Sequence, residues 1–291
     1  MKKIFIVLPL FNDWRSINLL LKKINQHFST GSFTLNIIIV NDCSTKKEKL
    51  ITKHLLNIKK IKILNLKKNL GSQKAIYIGL KQIKAESNST VVVMDSDGED
   101  DYSKLKKLIN QSIKENDSFI FVKRSKRKEI ISLRFLNQIR LFLTYILTGK
   151  FLNIGNFSAF KSTHLKKLLS NKNLSIAFSS GVIKNFKNIC YLKIDKKKRF
   201  FGKSKVNLFF LIKHSINIIS VFYLELILRT SVFFFLYLFF YGYKDFSFII
   251  LAIYLFFNTF FLLNYYLSSY NNSSTNTVSY THLTLPTTPY V

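Results

Sequence analysis

Acidic side chains are scarce in this chain. Fifteen Asp and Glu stand against 45 Lys and Arg among 291 residues, a formal net charge of +30. An excess of that size points to an anionic partner: nucleic acid, phospholipid headgroups or phosphorylated substrates. Part of it follows from general bias, because Lys, Asn, Ile and Phe are abundant throughout. Cysteine is nearly absent. Cys43 and Cys190 make no disulfide framework and no metal-ligand spacing, which fits a reducing compartment. A small-residue cleavage site is also missing after the apolar start. Pro9 interrupts that run and Asn12, Asp13 and Arg15 end it, so it reads as a first β-strand rather than a signal peptide. The basic residues lack an aromatic–basic nucleic-acid motif and cluster next to apolar segments, so nucleic acid is not an expected partner.

What is present is a substantial apolar fraction, 48%, arranged in a regular alternation. Apolar runs at Ile4–Leu8, Leu35–Val40, Ile61–Leu66, Val91–Met94 and Ser118–Val122 alternate with amphipathic stretches near 15–28, 46–57, 72–84 and 103–115. Short β-branched runs separated by helices predict a mainly parallel sheet of βαβ units. Turn signals follow the strands at Asn12-Asp13, Asn41-Asp42, Asn69 to Gly71 and Asp97-Gly98, so one sheet edge collects the polar chemistry. Over 130–149, Leu133, Leu136, Ile139, Leu143 and Ile146 recur at helical spacing with Arg134 and Arg140 off the stripe; such a helix suits a membrane interface or a protein core equally.

Residues 184–214 carry ten Lys and Arg and one acid, Asp195. Two apolar segments follow, about 222–243 and Phe246–Leu267, the second 22 residues without a charge and long enough to span a bilayer. Glu225 and Arg229, four apart, are placed to pair on one face of the first. The lysine-rich approach keeps the preceding region cytosolic by the positive-inside rule. After Leu267 the chain turns Ser/Asn/Thr-rich, and 278–291 resembles translated adapter sequence; the tail is expected to pack against nothing.

Asp95-Ser96-Asp97 closes the run Val91–Met94. Ligands of open α/β sheets bind at the carboxyl edge, and alternate residues of an extended strand share a face. Asp95 and Asp97 can therefore reach one divalent ion, and hard cations such as Mg²⁺ commonly share carboxylates with substrate phosphates. Asp13 and Asp42 can accept hydrogen bonds from a nucleoside, and a helix opening near Gly71 can offer N–H groups to an anion.

The order and spacing of these loops resemble family-2 glycosyltransferases of the GT-A fold. The likeness is to the membrane-attached branch that loads a polyisoprenyl phosphate with a sugar, as dolichol-phosphate mannosyltransferases do. It rests on Pro9-Leu10-Phe11-Asn12-Asp13, on Val40 to Ser44 with Cys43 where the family has Gly, and on Met94 to Asp100 with Glu99 where the family has Gln. A later R-x-x-G-x-S-K motif corresponds to Arg199–Lys205. Each motif alone is weak; the four in order, followed by two apolar segments and covering roughly residues 3–267, are specific.

The resemblance implies an α/β GT-A (Rossmann-like, mainly parallel sheet) domain over 1–200, a juxtamembrane amphipathic region over 201–221, a two-helix transmembrane hairpin over 222–267 and a disordered tail over 268–291. It implies an inverting, Mg²⁺- or Mn²⁺-dependent glycosyltransferase moving a sugar from a nucleotide-sugar donor to a polyisoprenyl (undecaprenyl) phosphate. The location implied is the inner (cytoplasmic) membrane, multi-pass, with the catalytic domain and both termini cytosolic. Asp95 and Asp97 would hold the metal. Asp97, Asp100, Arg199, Lys203 and Lys205 would form the catalytic set, the three cations holding the acceptor phosphate. Pro9, Phe11, Asp13, Asp42, Gly71, Lys74, Asp95, Arg124 and Asn156 would bind the nucleotide-sugar. Membrane lipids are further partners, and self-association is open. One departure stands out: Gly155-Asn156-Phe157-Ser158 carries Asn where some members place an Asp that is the candidate general base. Two alternatives remain open, a transferase acting on a sugar hydroxyl in cell-surface glycan synthesis and a catalytically inactive membrane scaffold.

Overall fold

Period-two alternation in the first strand decides the layering. Ile4, Ile6, Leu8 and Leu10 of β1 (Lys2–Leu10) enter one buried cluster, while Phe5 and Val7 enter another on the opposite face. β4 (Ser89–Val93) does the same, with Val92 in the first cluster and Val91 and Val93 in the second. A parallel sheet buried on both faces needs helices on both. α1 (Trp14–His27) and α3 (Leu105–Lys114) cover the first face through Ile17, Leu20, Leu21, Ile24, Leu105 and Leu108. α2 (Ser72–Leu80) covers the second through Ala75, Ile76 and Leu80. It lies very close to the sheet: a Cβ on Gly79 would stand 2.6 Å from Val7 Cγ1 and 3.0 Å from Val40 Cγ2.

The computed structural model describes residues 2–28, 33–46, 48–53, 55–86, 88–124, 131–202, 208–242, 247–270 and 279–284. Beyond the elements above it contains β2 (Phe33–Asn41), β3 (Ile58–Asn65), β5 (Phe119–Arg124), α4 (Ile131–Thr148), β6 (Ser158–Lys161), the short α5 (Leu165–Leu169) and α6 (Asn173–Ile176), α7 (Phe178–Asn185), β7 (Ile189–Ile194), α8 (Leu208–Ser220), α9 (Tyr223–Tyr241), α10 (Ser247–Tyr270) and β8 (Ser279–Thr284). The sheet order is β7-β5-β6-β4-β1-β2-β3-β8. β4, β1, β2 and β3 run parallel, so their carboxyl ends share one edge, as the alternation predicts; β6 is antiparallel between β4 and β5.

Two expectations give way. The described residues of 46–57 hold no helix. Asparagines of α1 satisfy that segment's backbone instead: Asn18 Oδ1 accepts from Ile51 N (2.9 Å) and its Nδ2 donates to Lys49 O (3.2 Å), while Asn25 Oδ1 accepts from Asn57 N (2.8 Å). Backbone groups partnered by side chains need no i→i−4 ladder. The tail is not wholly free either. Ser279–Thr284 pairs antiparallel with β3, from Lys60↔Thr284 to Asn65↔Ser279. β3 would otherwise be an edge strand, and an unpaired edge accepts any β-competent segment.

The chain divides into two units, Met1–Arg127 with Ile154–Ser204 and Ser274–Val291, and Lys128–Asn153 with Lys205–Ser273. Residues 128–153, inside the 1–200 domain expected from sequence, thus group with the apolar helices. In this second unit, α9 and α10 are long and apolar enough to cross a membrane. Their outward residues are large and apolar; Phe239 is 81% and Phe248 79% exposed. Their polar residues face each other: Thr230 Oγ1 donates to Asn258 Oδ1 (2.9 Å), and Ser231 and Tyr254 hydroxyls lie 2.7 Å apart. The Arg229 guanidinium lies against Gly149 at the carboxyl end of α4 and donates to Ile146 O (3.4 Å), a favourable place for a cation. On α4, Ile139 and Leu143 are exposed together with Phe135, Phe142 and Tyr145.

Candidate active site

The loops that leave β1, β2 and β3 at the shared edge are tied to one another by short polar side chains. Asn12, at φ 51°, donates its N–H to Ser44 Oγ (2.8 Å) and accepts from Lys46 N at Oδ1 (3.0 Å). Asn41 Oδ1 accepts from Ser44 N (3.1 Å), and Asn41 Nδ2 donates to Asn65 Oδ1 (2.8 Å). Cys43 stands between these contacts at φ 57°, the left-handed region that favours glycine. That is the physical reason for the Gly in the related motif, and Cys43 adopts the conformation without the glycine.

Asp42 is buried, and both its oxygens are engaged. Oδ1 accepts from Leu70 N (2.7 Å) and Oδ2 from Gly71 N (2.8 Å). Burial pushes its carboxyl above the usual range, and the two backbone N–H groups oppose the shift. Its role in the structure is to fix the loop where Gly71, at φ 87°, opens α2. Lys74 lies in the first turn of that helix. Gln73 beside it was not singled out from the sequence, yet it bridges two segments: its Nε2 donates to Asn156 Oδ1 (3.3 Å) and its Oε1 accepts from Phe178 N (2.7 Å). Asn156 is thereby brought to the amino end of α2. Pro9 is buried within β1, and Phe11 is partly exposed just beyond it.

The acidic loop after β4 braces itself internally. Asp100 is buried, and its Oδ2 accepts from Asp95 N (2.9 Å), which fixes the start of the acidic loop. Asp97 Oδ1 accepts from Glu99 N (3.0 Å). Asp101 caps a short 3-10 turn through Ser103 N (2.9 Å) and Oγ (2.6 Å).

A strap, residues 195–201, follows β7 and lies along this loop. Lys197 N donates to Glu99 O (2.9 Å) and Phe200 N to Asp97 O (3.0 Å). Lys196 pairs with Glu99, and Lys197 Nζ lies 2.9 Å from Asp101 Oδ1. The Phe200 ring covers Gly98 so closely that no Cβ fits there, and Gly98 has φ 82°. Arg199 Nη1 donates to Asp97 Oδ2 (3.0 Å), Nη2 donates to Asp13 Oδ2, and Nε donates to Phe201 O (2.9 Å). Arg199, expected at the acceptor phosphate, pairs within the protein with Asp97 and Asp13. Lys203 and Lys205 lie outside the described residues, as does the side chain of Arg124. The strap contacts of Lys196, Lys197 and Phe200 were not singled out either, although the basic run 196–199 complements the acidic run 97–101.

Asp97 carries the main electrostatic tension. Burial, then the neighbouring Asp95, push its carboxyl up to about 6 even though Arg199 pulls the other way. Among the described residues no group of three or more His, Cys, Asp or Glu converges to hold an ion by itself. Two carboxylates at a strand end, one of them already paired with Arg199, fit a hard divalent ion whose remaining ligands would be phosphate oxygens and water.

Two substitutions test this reading. Left-handed backbone costs a non-glycine residue about 1 kcal/mol, so Cys43→Gly is expected to stabilise the protein by about that amount in thermal unfolding. For Asp97 the folded-state value lies above the ordinary 3.8, so its ionisation opposes folding as pH rises from about 4 to 6 and fully above that. Asp97→Asn is therefore expected to stabilise ion-free protein at pH 7 by up to about 3 kcal/mol, with the difference vanishing near pH 4. Unfolding curves at the two pH values, with chelator, check it; a variant less stable than the parent at pH 7 contradicts it.

Comparisons with known proteins place the architecture. The glucosyl-3-phosphoglycerate synthase of Mycobacterium tuberculosis, in complex with phosphoglyceric acid, superposes with a TM-score of 0.53 at 14% identity, over 77% of this chain and 80% of that one. The same protein with Mn²⁺, UDP and glucosyl-3-phosphoglycerate gives 0.50. TarS 1–349 of S. aureus is similar at 0.44 and 18% identity over 79% of this chain, which spans 64% of that fragment's length. No curated protein sequence matches significantly. The family model described as glycosyl transferase family 2 matches residues 5–171, more than half of the sequence and every loop described above except the strap, and the chain belongs to that family.

Proposed function

We propose that this chain moves a sugar, with inversion, from a nucleotide-sugar donor to a polyisoprenyl phosphate at the cytosolic face of the inner membrane. The observation that carries the donor half is the end of β4: Asp95 and Asp97 open at the same sheet edge as Asp13, the Asn41–Thr45 loop and the start of α2. Carboxyl edges of such sheets are where ligands bind. Mn²⁺ and UDP accompany a protein of the same fold.

Each residue then has a task. Asp95 and Asp97 would hold a divalent ion, which would supply Lewis-acid neutralisation of charge on the departing diphosphate. Asp42 holds Leu70 and Gly71 so that the amino end of α2 lies at the cleft, where helix N–H groups favour phosphate. Asn156 is positioned by Gln73 and cannot take a proton. A phosphate acceptor does not require one, because its second pKa is near 6 and it is largely dianionic at pH 7. This consideration favours a phosphate over a sugar hydroxyl, which needs a base. The lysine-rich approach to α8 and the two long apolar helices support a lipid-borne acceptor.

The test is the full-length protein, a panel of nucleotide-sugars, Mg²⁺ or Mn²⁺, and undecaprenyl phosphate, with a glycolipid as product. Asp97→Asn is expected to slow turnover about 10²–10³-fold, the cost of removing one preorganised electrostatic contact. Transfer to a sugar hydroxyl with none to lipid phosphate would replace the acceptor assignment. For the orientation, a cysteine placed at Tyr243 is expected to react with an impermeant maleimide in intact cells. Reaction only after permeabilisation would reverse the topology.

A further inference from the structure

We propose that Arg199 is the internal counter-ion of the metal carboxylates, and that a divalent cation entering with a nucleoside diphosphate exchanges it off Asp97 and frees the 195–201 strap from the acidic loop. The inference rests on the donor site proposed above.

Each nitrogen of the guanidinium donates a hydrogen bond: Nη1 to Asp97, Nη2 to Asp13 and Nε to Phe201 O. Its side chain is 17% exposed, and those of its two carboxylate partners are 16% and 11% exposed. An arginine keeps its charge at any working pH. It therefore cannot share Asp97 Oδ2 with a dication at close range without strong repulsion. A cation and Arg199 are alternatives at that oxygen.

The remaining strap contacts are weaker or do not involve the metal carboxylates. Lys196 and Lys197 pair with Glu99 and Asp101 from side chains 31% and 41% exposed, and exposed pairs contribute little. Two backbone bonds, the Phe200 ring over Gly98 and beside Tyr102, Lys197 over the Tyr102 ring and Arg15 over the Phe201 ring add to the zip. Arg199 is the least exposed cation of the strap, and it alone reaches across to Asp13 on a separate element. Removing it from Asp97 takes away the strap's least exposed side-chain tie to the acidic loop and leaves the bond to Asp13, the more exposed lysine pairs, the backbone bonds and the ring contacts. Cation loading and strap release are thereby coupled through one oxygen atom.

The experiment measures Mn²⁺ binding without nucleotide to the full-length protein and to Arg199→Ala and Arg199→Gln, together with tryptic cutting at Lys196–Arg199. If the latched state occupies about nine-tenths of the wild type, both variants bind Mn²⁺ ~10-fold more tightly. In the wild type, Mn²⁺ with UDP speeds cutting of the strap; in the variants the strap is cut rapidly at Lys196–Lys198 without either. Equal or weaker Mn²⁺ binding by both variants, while the wild type still binds Mn²⁺–UDP, overturns the exchange and leaves the donor site standing. A strap cut at the same rate with and without Mn²⁺–UDP also overturns it. A wild type that binds no Mn²⁺–UDP overturns the donor site and the exchange together.

Discussion

Five of the chain's 15 acidic residues fall within Asp95 to Asp101, at the end of a buried strand. Carboxylates taken out of water cost several kcal/mol unless they are paired or hydrogen-bonded. The local architecture answers that constraint group by group. Asp100 takes the Asp95 N–H, Asp97 takes Glu99 N and Arg199, Glu99 takes Lys196, and Asp101 takes Ser103 and Lys197. The strap after β7 runs where it does because it carries the compensating cations. Compensation at Asp97 is incomplete, since burial and Asp95 still hold its carboxyl near 6. A site that remains under-neutralised after its own side chains are used is a site that attracts a further cation, and perturbed carboxylates of this kind mark functional clefts.

The same trade between stability and function recurs around the edge. Cys43 and Asn12 accept left-handed backbone to bring the first two loops together. Asp42 is buried with raised pKa to hold the opening of α2. These costs are carried by the double-faced core behind them, in which β1, β2 and β4 are apolar on both sides. The second unit obeys a different rule. Its polar side chains pair inward between α9 and α10, while phenylalanines face outward. An apolar surface of that extent is sustained by a partner or a membrane rather than by water.

Much of this was legible from pattern alone. Period-two runs bounded by Asn, Asp and Gly announced the strands and their shared edge, because side-chain alternation is a local property of extended chain. The Asp95–Asp97 pair was visible for the same reason: a strand end fixes where the next residues stand. Amphipathic spacing over 46–57 points to a helix that the described residues do not form, because spacing says nothing about where backbone hydrogen bonds go. Asn18 and Asn25, more than 30 positions earlier, supply them. The tail strand was missed because its pairing depends on the vacant edge of β3, not on its own composition.

The sequence by itself determined the layer order, the polar edge, the metal-ligand candidates and the two long apolar helices. Each follows from short-range periodicity or from composition within a single segment. The tertiary structure alone decided which charges meet. Arg199 lies 102 positions from Asp97 and 186 from Asp13, and nothing in the motif around it names those two partners. Charge pairing acts through space over a few ångströms, so partners far apart in sequence are chosen by the path of the fold. That path sets Asp42 on the N–H groups that open α2, Asp100 under the Asp95 N–H and Arg199 on Asp97 and Asp13.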